Sequence, residues 1–181
     1  MRKLNITELQ RLSVDEFKQS SKMPLVVVLD DVRSMYNVGS VFRTSDAYRV
    51  ECIYLCGITG CPPHAEIHKT ALGAEDSVDW LYFESAEDAV EDLKRRGYKV
   101  FAVEQAEGSI GFPLPDDFMS DLPTGYAVVF GNEVKGVKQE VIDRCDGCIE
   151  LPQYGTKHSL NVATTAGIVI WEYSKLLHSV F

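Results

Sequence analysis

The 181-residue sequence has no apolar run long enough to span a bilayer. Its first residues, Met1-Arg2-Lys3-Leu4-Asn5-Ile6-Thr7-Glu8, lack the apolar core of a signal peptide. These absences argue against a membrane partner and set the expectation of a cytoplasmic chain. A complete disulfide set is also missing, because five cysteines is an odd number. Cys145 and Cys148 form a C-x-x-C pair with no second pair nearby. Cys61, His64 and His68 fall short of the four clear ligands of a zinc site, so no metal is expected and the thiols read as reduced and structural. Two nucleotide fingerprints are absent as well. Gly131 and Gly136 have the separation of a phosphate loop, but Val137 stands where that motif needs lysine, with no Ser or Thr to hold a metal ion. The glycine pattern of dinucleotide-binding folds is not found, which disfavours nucleoside triphosphate and nicotinamide cofactors. Nor is there an internal repeat or an interdomain linker.

Basic charge is in short supply. The net charge is −9, which argues against a general nucleic-acid binder. The excess is confined to one block: Glu75 to Asp121 holds thirteen acidic residues against four basic ones, leaving fourteen of each elsewhere. That block reads as a solvated face, and the rest of the chain is neutral.

Against these absences stands an ordinary globular composition, 45% hydrophobic and 25% charged, of a size for one domain with a proper core. Residues 1–22 read as a helical extension of one or two short polar helices, with Ser13 and Glu16 as a capping box. They would form either an arm on a partner subunit or a lid on the core. Residues 23–181 read as the main domain. Short apolar runs at 25–29, 51–56, 78–82, 99–103, 126–130 and 148–151 predict six strands. Helical patterns lie between them: one capped by Asn37, one over 64–72, one capped by Ser85 and stopped at Gly97, and one over about 138–144. A long last helix runs from Leu160 to His178. Residues 106–124, rich in Pro, Gly and Asp, read as an irregular loop. Strands alternating with helices imply an α/β fold with a mostly parallel sheet and helices on both faces. The pattern alone would make it an unknotted doubly wound domain.

The most informative stretch runs from Tyr126 to Gly167. Two strands there end in glycine-containing loops, and strand ends are where open α/β sheets bind ligands. Gly131 would let a ligand approach the backbone; Gly136 and Gly155 would permit sharp turns. The sequence Phe130-Gly131-Asn132-Glu133-Val134-Lys135-Gly136 resembles the second motif of the SpoU/TrmH family of RNA ribose methyltransferases, in the SPOUT superfamily. Leu151-Pro152-Gln153-Tyr154-Gly155 followed by Ser159-Leu160-Asn161-Val162 resembles the third motif, and Asn37 to Thr44 the first. Lys69 to Ala74 is similar to a segment that lies near the active site in such proteins.

The resemblance implies S-adenosylmethionine as cofactor and 2′-O-methylation of tRNA or rRNA. It also implies a C-terminal trefoil knot that brings the two loops together, and a homodimer. It makes Arg43 the catalytic residue, with Asn37, Glu133, Ser159 and Asn161 orienting it, the RNA or the loops. Gly131, Leu151, Leu160 and Glu104 would line the cofactor pocket. Arg33, Lys69, Lys135, Lys157 and His158 would contact RNA. The family describes Arg43 as a general base. Because free arginine holds its proton beyond about pH 12, a phosphate clamp that stabilises the developing alkoxide is the other role. Gly39, one turn before Arg43, would leave room beside the guanidinium, and Ser159 would cap the last helix. Ala163 and Gly167 form a small-residue edge on that helix. Two positions depart from the family pattern: Gln153 replaces a methionine, and Arg49 stands where a glycine commonly closes the first motif. A second function class stays open, an RNA-binding or assembly protein that kept the fold without the activity.

Overall fold

The computed structural model describes residues 1–115, 118 and 123–177. Its strands are β1 (Met23–Asp30), β2 (Val50–Cys56), β3 (Trp80–Phe83), β4 (Tyr98–Val103), β5 (Ile110–Gly111), β6 (Gly125–Phe130) and β7 (Gly147–Glu150). They form one sheet in the order β3-β2-β1-β6-β4-β7-β5, and every pairing is parallel. Seven strands replace the six expected. The additional one, β5, is two residues long and lies on β7 within the segment read as a loop. Two residues carry no periodicity, so such a strand is decided by its neighbour's free edge rather than by its own pattern.

The apolar runs are continuous because both faces of the sheet are covered. In β1, Leu25, Val27 and Leu29 point into one core, while Val26 and Val28 point into the other. The first core is closed by α2 (Met35–Ala47), α3 (Ala65–Ala71), α4 (Ala74–Ser77) and α7 (Val162–Leu177). The second is closed by α5 (Ala86–Arg95) and α6 (Gln139–Ile142). In α2 the buried residues Val38, Val41, Phe42 and Ser45 recur at helical spacing, so one stripe of that helix faces the sheet. Truncating the fully buried Phe42 to alanine would cost about 3–5 kcal/mol.

At the N-terminus, a 3₁₀ turn (Ile6–Leu9) precedes α1 (Val14–Gln19), whose Ser13–Glu16 capping box forms as the sequence suggests. Phe17 anchors α1 in the first core, so this helix packs on its own domain. The last helix begins at Val162 rather than Leu160, and His178, its expected end, lies outside the described residues.

Sheet order positions the site. The chain lays down β1, β2 and β3 towards one edge, crosses to β4, and returns to insert β6 between β1 and β4. The C-terminal ends of β1, β6, β4 and β7 are therefore consecutive neighbours, with Leu29 opposite Phe130 and Val103 opposite Ile149. Both glycine-containing loops leave the sheet at this edge.

Candidate active site

The loop after β6 is built on itself. Asn132 N–H donates to the Gly136 carbonyl at 3.1 Å, and Gly136 N–H to the Asn132 carbonyl at 2.8 Å. The Asn132 side-chain oxygen accepts from the amides of Val134 (2.9 Å) and Lys135 (3.2 Å), and its amide donates to the Asp31 carbonyl at 2.8 Å. Asn132 thus closes the loop and fastens it to the end of β1. Sequence pattern alone does not single it out. The usable signal was an asparagine beside glycine, since asparagine side chains accept from backbone amides two residues on.

Gly131 serves this closure. A Cβ there would lie 2.1 Å from the Gly136 carbonyl carbon and 2.2 Å from Val137 N. The space that the sequence reading left for a ligand is filled by the loop's own backbone. Gly136 has φ +67°, a left-handed angle that glycine adopts without a Cβ penalty. Gly155, also read as a turn glycine, does not have a left-handed φ.

Folding of this loop presents Glu133 to the turn between β1 and α2. Its carboxylate accepts from Arg33 N (3.0 Å), Ser34 N (3.0 Å) and Asn37 Nδ2 (3.1 Å). Asn37 Oδ1 in turn accepts from Asn161 Nδ2 at 3.0 Å. One residue from each of the three sequence motifs is therefore joined in a single chain of hydrogen bonds. Burial pushes the Glu133 carboxyl up, but these donors favour its charged form more, and its pKa is lowered.

Both expected helix caps are corrected by this network. Ser34, not Asn37, caps α2, its hydroxyl accepting from Asn37 N at 3.3 Å. The Asn37 side chain is engaged with Glu133 and Asn161 instead. Asn161, not Ser159, caps α7, accepting from Ala163 N (2.9 Å) and Thr164 N (3.2 Å). Gly39 likewise has a different partner from the one expected. A Cβ there would lie 2.3 Å from the Ile67 carbonyl oxygen, so the glycine makes room for α3 rather than for Arg43.

Arg43 and Ser159 stand outside the network. Arg43 is exposed, six residues beyond Asn37 on α2 or about 9 Å along the helix axis, and it forms no ion pair with a described residue. Ser159 is exposed within the loop after β7. Arg33, Lys69, Lys135 and Lys157 are also exposed and unpaired among the described residues. Many other cations are spoken for: Lys94 with Asp146, Arg96 with Glu51, Arg144 with Glu91 and Lys175 with Glu172. The unpaired charges include those in and beside the motifs, where a polyanion would need them.

Residues 152–160 are exposed, and among the described residues their backbone forms no hydrogen bond to other backbone. The His158 carbonyl accepts from Gln105 Nε2 at 2.9 Å. Leu151 is half-buried and Leu160 exposed, at the two ends of this stretch; Gln153 lies in its exposed middle. Glu104, at the end of β4, directs its carboxylate to Val137 N (3.0 Å) and Gln105 N (2.8 Å). Behind the loop, Lys138 Nζ lies 2.7 Å from Asp31 Oδ2 and 3.6 Å from Asp30 Oδ1, the second an ion pair too long for a hydrogen bond. Burial raises the Asp30 pKa, and the Lys138 contact lowers that of Asp31.

The cysteines supply no nucleophile, and Cys148 donates its thiol to the Glu104 carbonyl at 3.3 Å. All five are free, and burial pushes the Cys52 and Cys145 thiols up to about 12, which leaves them protonated and poor nucleophiles. Two open clefts of about 520 and 570 Å³ share Glu75, Asp76 and Trp80 and lie beside the start of β3, and no network residue lines either. Part of the acidic block lines them, while Asp88 and Glu91 lie exposed on α5.

The model of the SpoU rRNA methylase family matches residues 24–171, most of the chain. The chain belongs to that family. Among SpoU relatives, a 23S rRNA (guanosine-2'-O-)-methyltransferase from Neisseria meningitidis is 28% identical over 158 residues, which are 87% of this chain and 61% of that protein. A tRNA (guanosine(18)-2'-O)-methyltransferase from Thermus thermophilus is 31% identical over 169 residues, 92% of this chain and 82% of that protein. Among solved structures, the AdoMet-bound rRNA methyltransferase from Sinorhizobium meliloti superposes with a TM-score of 0.78 at 26% identity, over 89% of this chain and 60% of that one. The chain thus spans under two thirds of some SpoU relatives and most of others. The three motifs fall inside the matched segment, and their polar residues Asn37, Glu133 and Asn161 are those that the network joins.

Proposed function

We propose that this chain is an S-adenosylmethionine-dependent methyltransferase that modifies a ribose 2′-hydroxyl of a tRNA or rRNA. The observation that carries this reading is the Glu133–Asn37–Asn161 network, which draws three family motifs to one sheet edge beside unpaired cations. The residues present fit the cofactor. Apart from the His158 carbonyl, residues 152–160 offer adenine and ribose backbone groups that no described backbone group engages, and Leu151 and Leu160 supply apolar contact. Bound there, S-adenosylmethionine supplies an activated methyl group. The chain's own part is alignment and charge stabilisation. Glu133 and Asn37 hold the β1–α2 turn against the loop after β6, and Asn161 fixes the start of α7 to Asn37. Arg43, exposed and without an ion-pair partner among the described residues, is free to engage an RNA phosphate and the developing alkoxide. Arg33, Lys69, Lys135, Lys157 and His158 extend the contact along the RNA. The inactive alternative finds no support, since Arg43 and Ser159 are present and the network is complete.

A homodimer through α7 belongs to this proposal. Among the described residues, and setting aside the glycine's own turn of helix, nothing lies within 4 Å of where a Gly167 Cβ would be, and Trp171 beside it is 49% exposed. The position of Arg43 outside the network suits a site completed across such an interface. The trefoil knot is proposed for the segment from β6 to α7, supported by family membership and by β4 lying between β6 and β7. No described helix is long and apolar enough to cross a membrane, and we place the protein in the cytoplasm. Residues 1–22, all of which precede the matched segment, are proposed as an extension of the 23–181 domain.

Methyl incorporation into RNA from a strain lacking this chain, followed by mapping of the modified nucleotide, tests the activity. Arg43→Ala should abolish transfer at saturating cofactor while leaving cofactor affinity nearly unchanged. Arg43→Lys keeps the charge but loses the planar fork, and should be almost as inactive if clamping is the role. Normal single-turnover rates in Arg43→Ala would sink the assignment.

A further inference from the structure

We infer that Glu104 and Gln105 are positioning residues which lock the two loops flanking β4 at the spacing that the cofactor requires; this rests on the methyltransferase reading. Strand β4 lies between β6 and β7, so residues just past its end stand between the loop after β6 and the loop after β7. Glu104 reaches one of them and Gln105 the other. The Glu104 carboxylate divides its oxygens: Oε2 accepts from Val137 N at 3.0 Å and Oε1 from Gln105 N at 2.8 Å. Its neighbour across the gap is Gly136, whose φ of +67° favours glycine and whose missing Cβ leaves room for Oε2, which would otherwise lie 2.0 Å away. Gln105 Nε2 donates to the His158 carbonyl at 2.9 Å, and among the described residues no backbone group holds residues 152–160.

This geometry changes what Glu104 can do. Both carboxylate oxygens already serve backbone N–H groups, so its primary contact is the loop rather than a ribose hydroxyl. A carboxylate accepting from amides is a strong, directional anchor. Its effect on the cofactor is indirect, through the place of Gly136 and Val137. Gln105 acts likewise on His158, two residues before Leu160. With both tethers formed, the pocket walls are set before the cofactor arrives, which lowers the ordering cost of binding.

The test measures S-adenosylhomocysteine affinity by calorimetry, kcat at saturating cofactor, and hydrogen exchange at the Val137 amide in the unliganded protein. Glu104→Ala should raise Kd about tenfold or more and expose the Val137 amide to exchange. Its kcat at saturation should fall by a much smaller factor. Glu104→Gln keeps the size but brings only one acceptor oxygen to two N–H groups, so it should show the same split to a lesser degree, and it carries the test if the alanine variant does not fold. Gln105→Ala should weaken binding without altering exchange at Val137. Glu107→Ala, which removes a nearby exposed charge, serves as the control for net charge. Wild-type binding with unchanged Kd and unchanged Val137 protection in both Glu104 variants would overturn the clamp alone. A wild-type chain that binds no S-adenosylhomocysteine would overturn the functional reading and this inference with it.

Discussion

Replacing Glu133 with alanine removes three hydrogen bonds at once, those from Arg33 N, Ser34 N and Asn37 Nδ2. Hydrogen bonds to a charged acceptor contribute roughly 1.5–3 kcal/mol each when shielded. Glu133 is exposed, and solvent draws each contribution well below that range. The two backbone amides, released, can turn to water, so no buried donor is left unsatisfied. Taking about 0.5–0.7 kcal/mol per bond and adding a few tenths for a carboxylate at the start of α2, the expected loss is about 2 kcal/mol. For a chain of this size that lowers the melting temperature by about 4–8 °C. Urea denaturation should show it as a shifted midpoint with an unchanged slope. Glu133→Gln, which keeps an acceptor oxygen, should lose about half as much. Asn37→Ala combined with Glu133→Ala should be less than additive, with a coupling of about 0.5–1 kcal/mol, because the two share a bond. A Glu133→Ala chain within about 0.3 kcal/mol of wild type, or strict additivity with Asn37→Ala, would refute the network as a stabilising element.

Gly131→Ala should lose stability and cofactor affinity together, because the new Cβ meets the Gly136–Val137 backbone; loss of affinity alone, by melting and titration, would show that the pocket rather than the loop is hit. For the proposed homodimer, Gly167→Leu should shift the mass found by light scattering towards a monomer; an unchanged dimer would move the interface off α7, and a monomeric wild type would remove the dimer proposal. Arg49 has φ +51°, so Arg49→Gly should raise stability by about 1 kcal/mol in urea titration, and a destabilised variant would show that its side chain matters more than its backbone. Asp31 and Glu133 both have lowered pKa values, the first chiefly through its Lys138 contact and the second because backbone donors outweigh burial. Their stabilisation is fully present above the unfolded carboxylate pKa and lost as pH falls through the folded values. The urea midpoint should therefore drop below about pH 4, less steeply in Glu133→Gln, and a flat profile would contradict the shifts.

Local features were legible because local forces decide them. The run at 126–130 reads as a buried strand, and it became β6, covered on both faces. The Ser13–Glu16 box, the Ser85 cap and the stop at Gly97 each depend on residues within one turn, and each formed. Family membership was legible too, since each of the three motifs is an unbroken stretch of chain.

What the sequence by itself determined is the alternation of strands and helices and the face each helix buries, because burial imposes a period that neighbouring residues must share. Tertiary structure alone decided which polar group meets which. Sequence pattern puts Asn37 and Ser159 at two helix caps that Ser34 and Asn161 occupy; the choice fell to sheet order, which brought Glu133 to Asn37 across 96 residues and Asn161 to Asn37 across 124. Gly131 and Gly39 looked like clearances for a ligand and for Arg43, and both proved to be clearances for backbone. A short polar side chain or a missing Cβ has no preferred partner within its own segment. Its role is fixed only when distant strands, packed in their order, place a donor, an acceptor or another turn of chain against it.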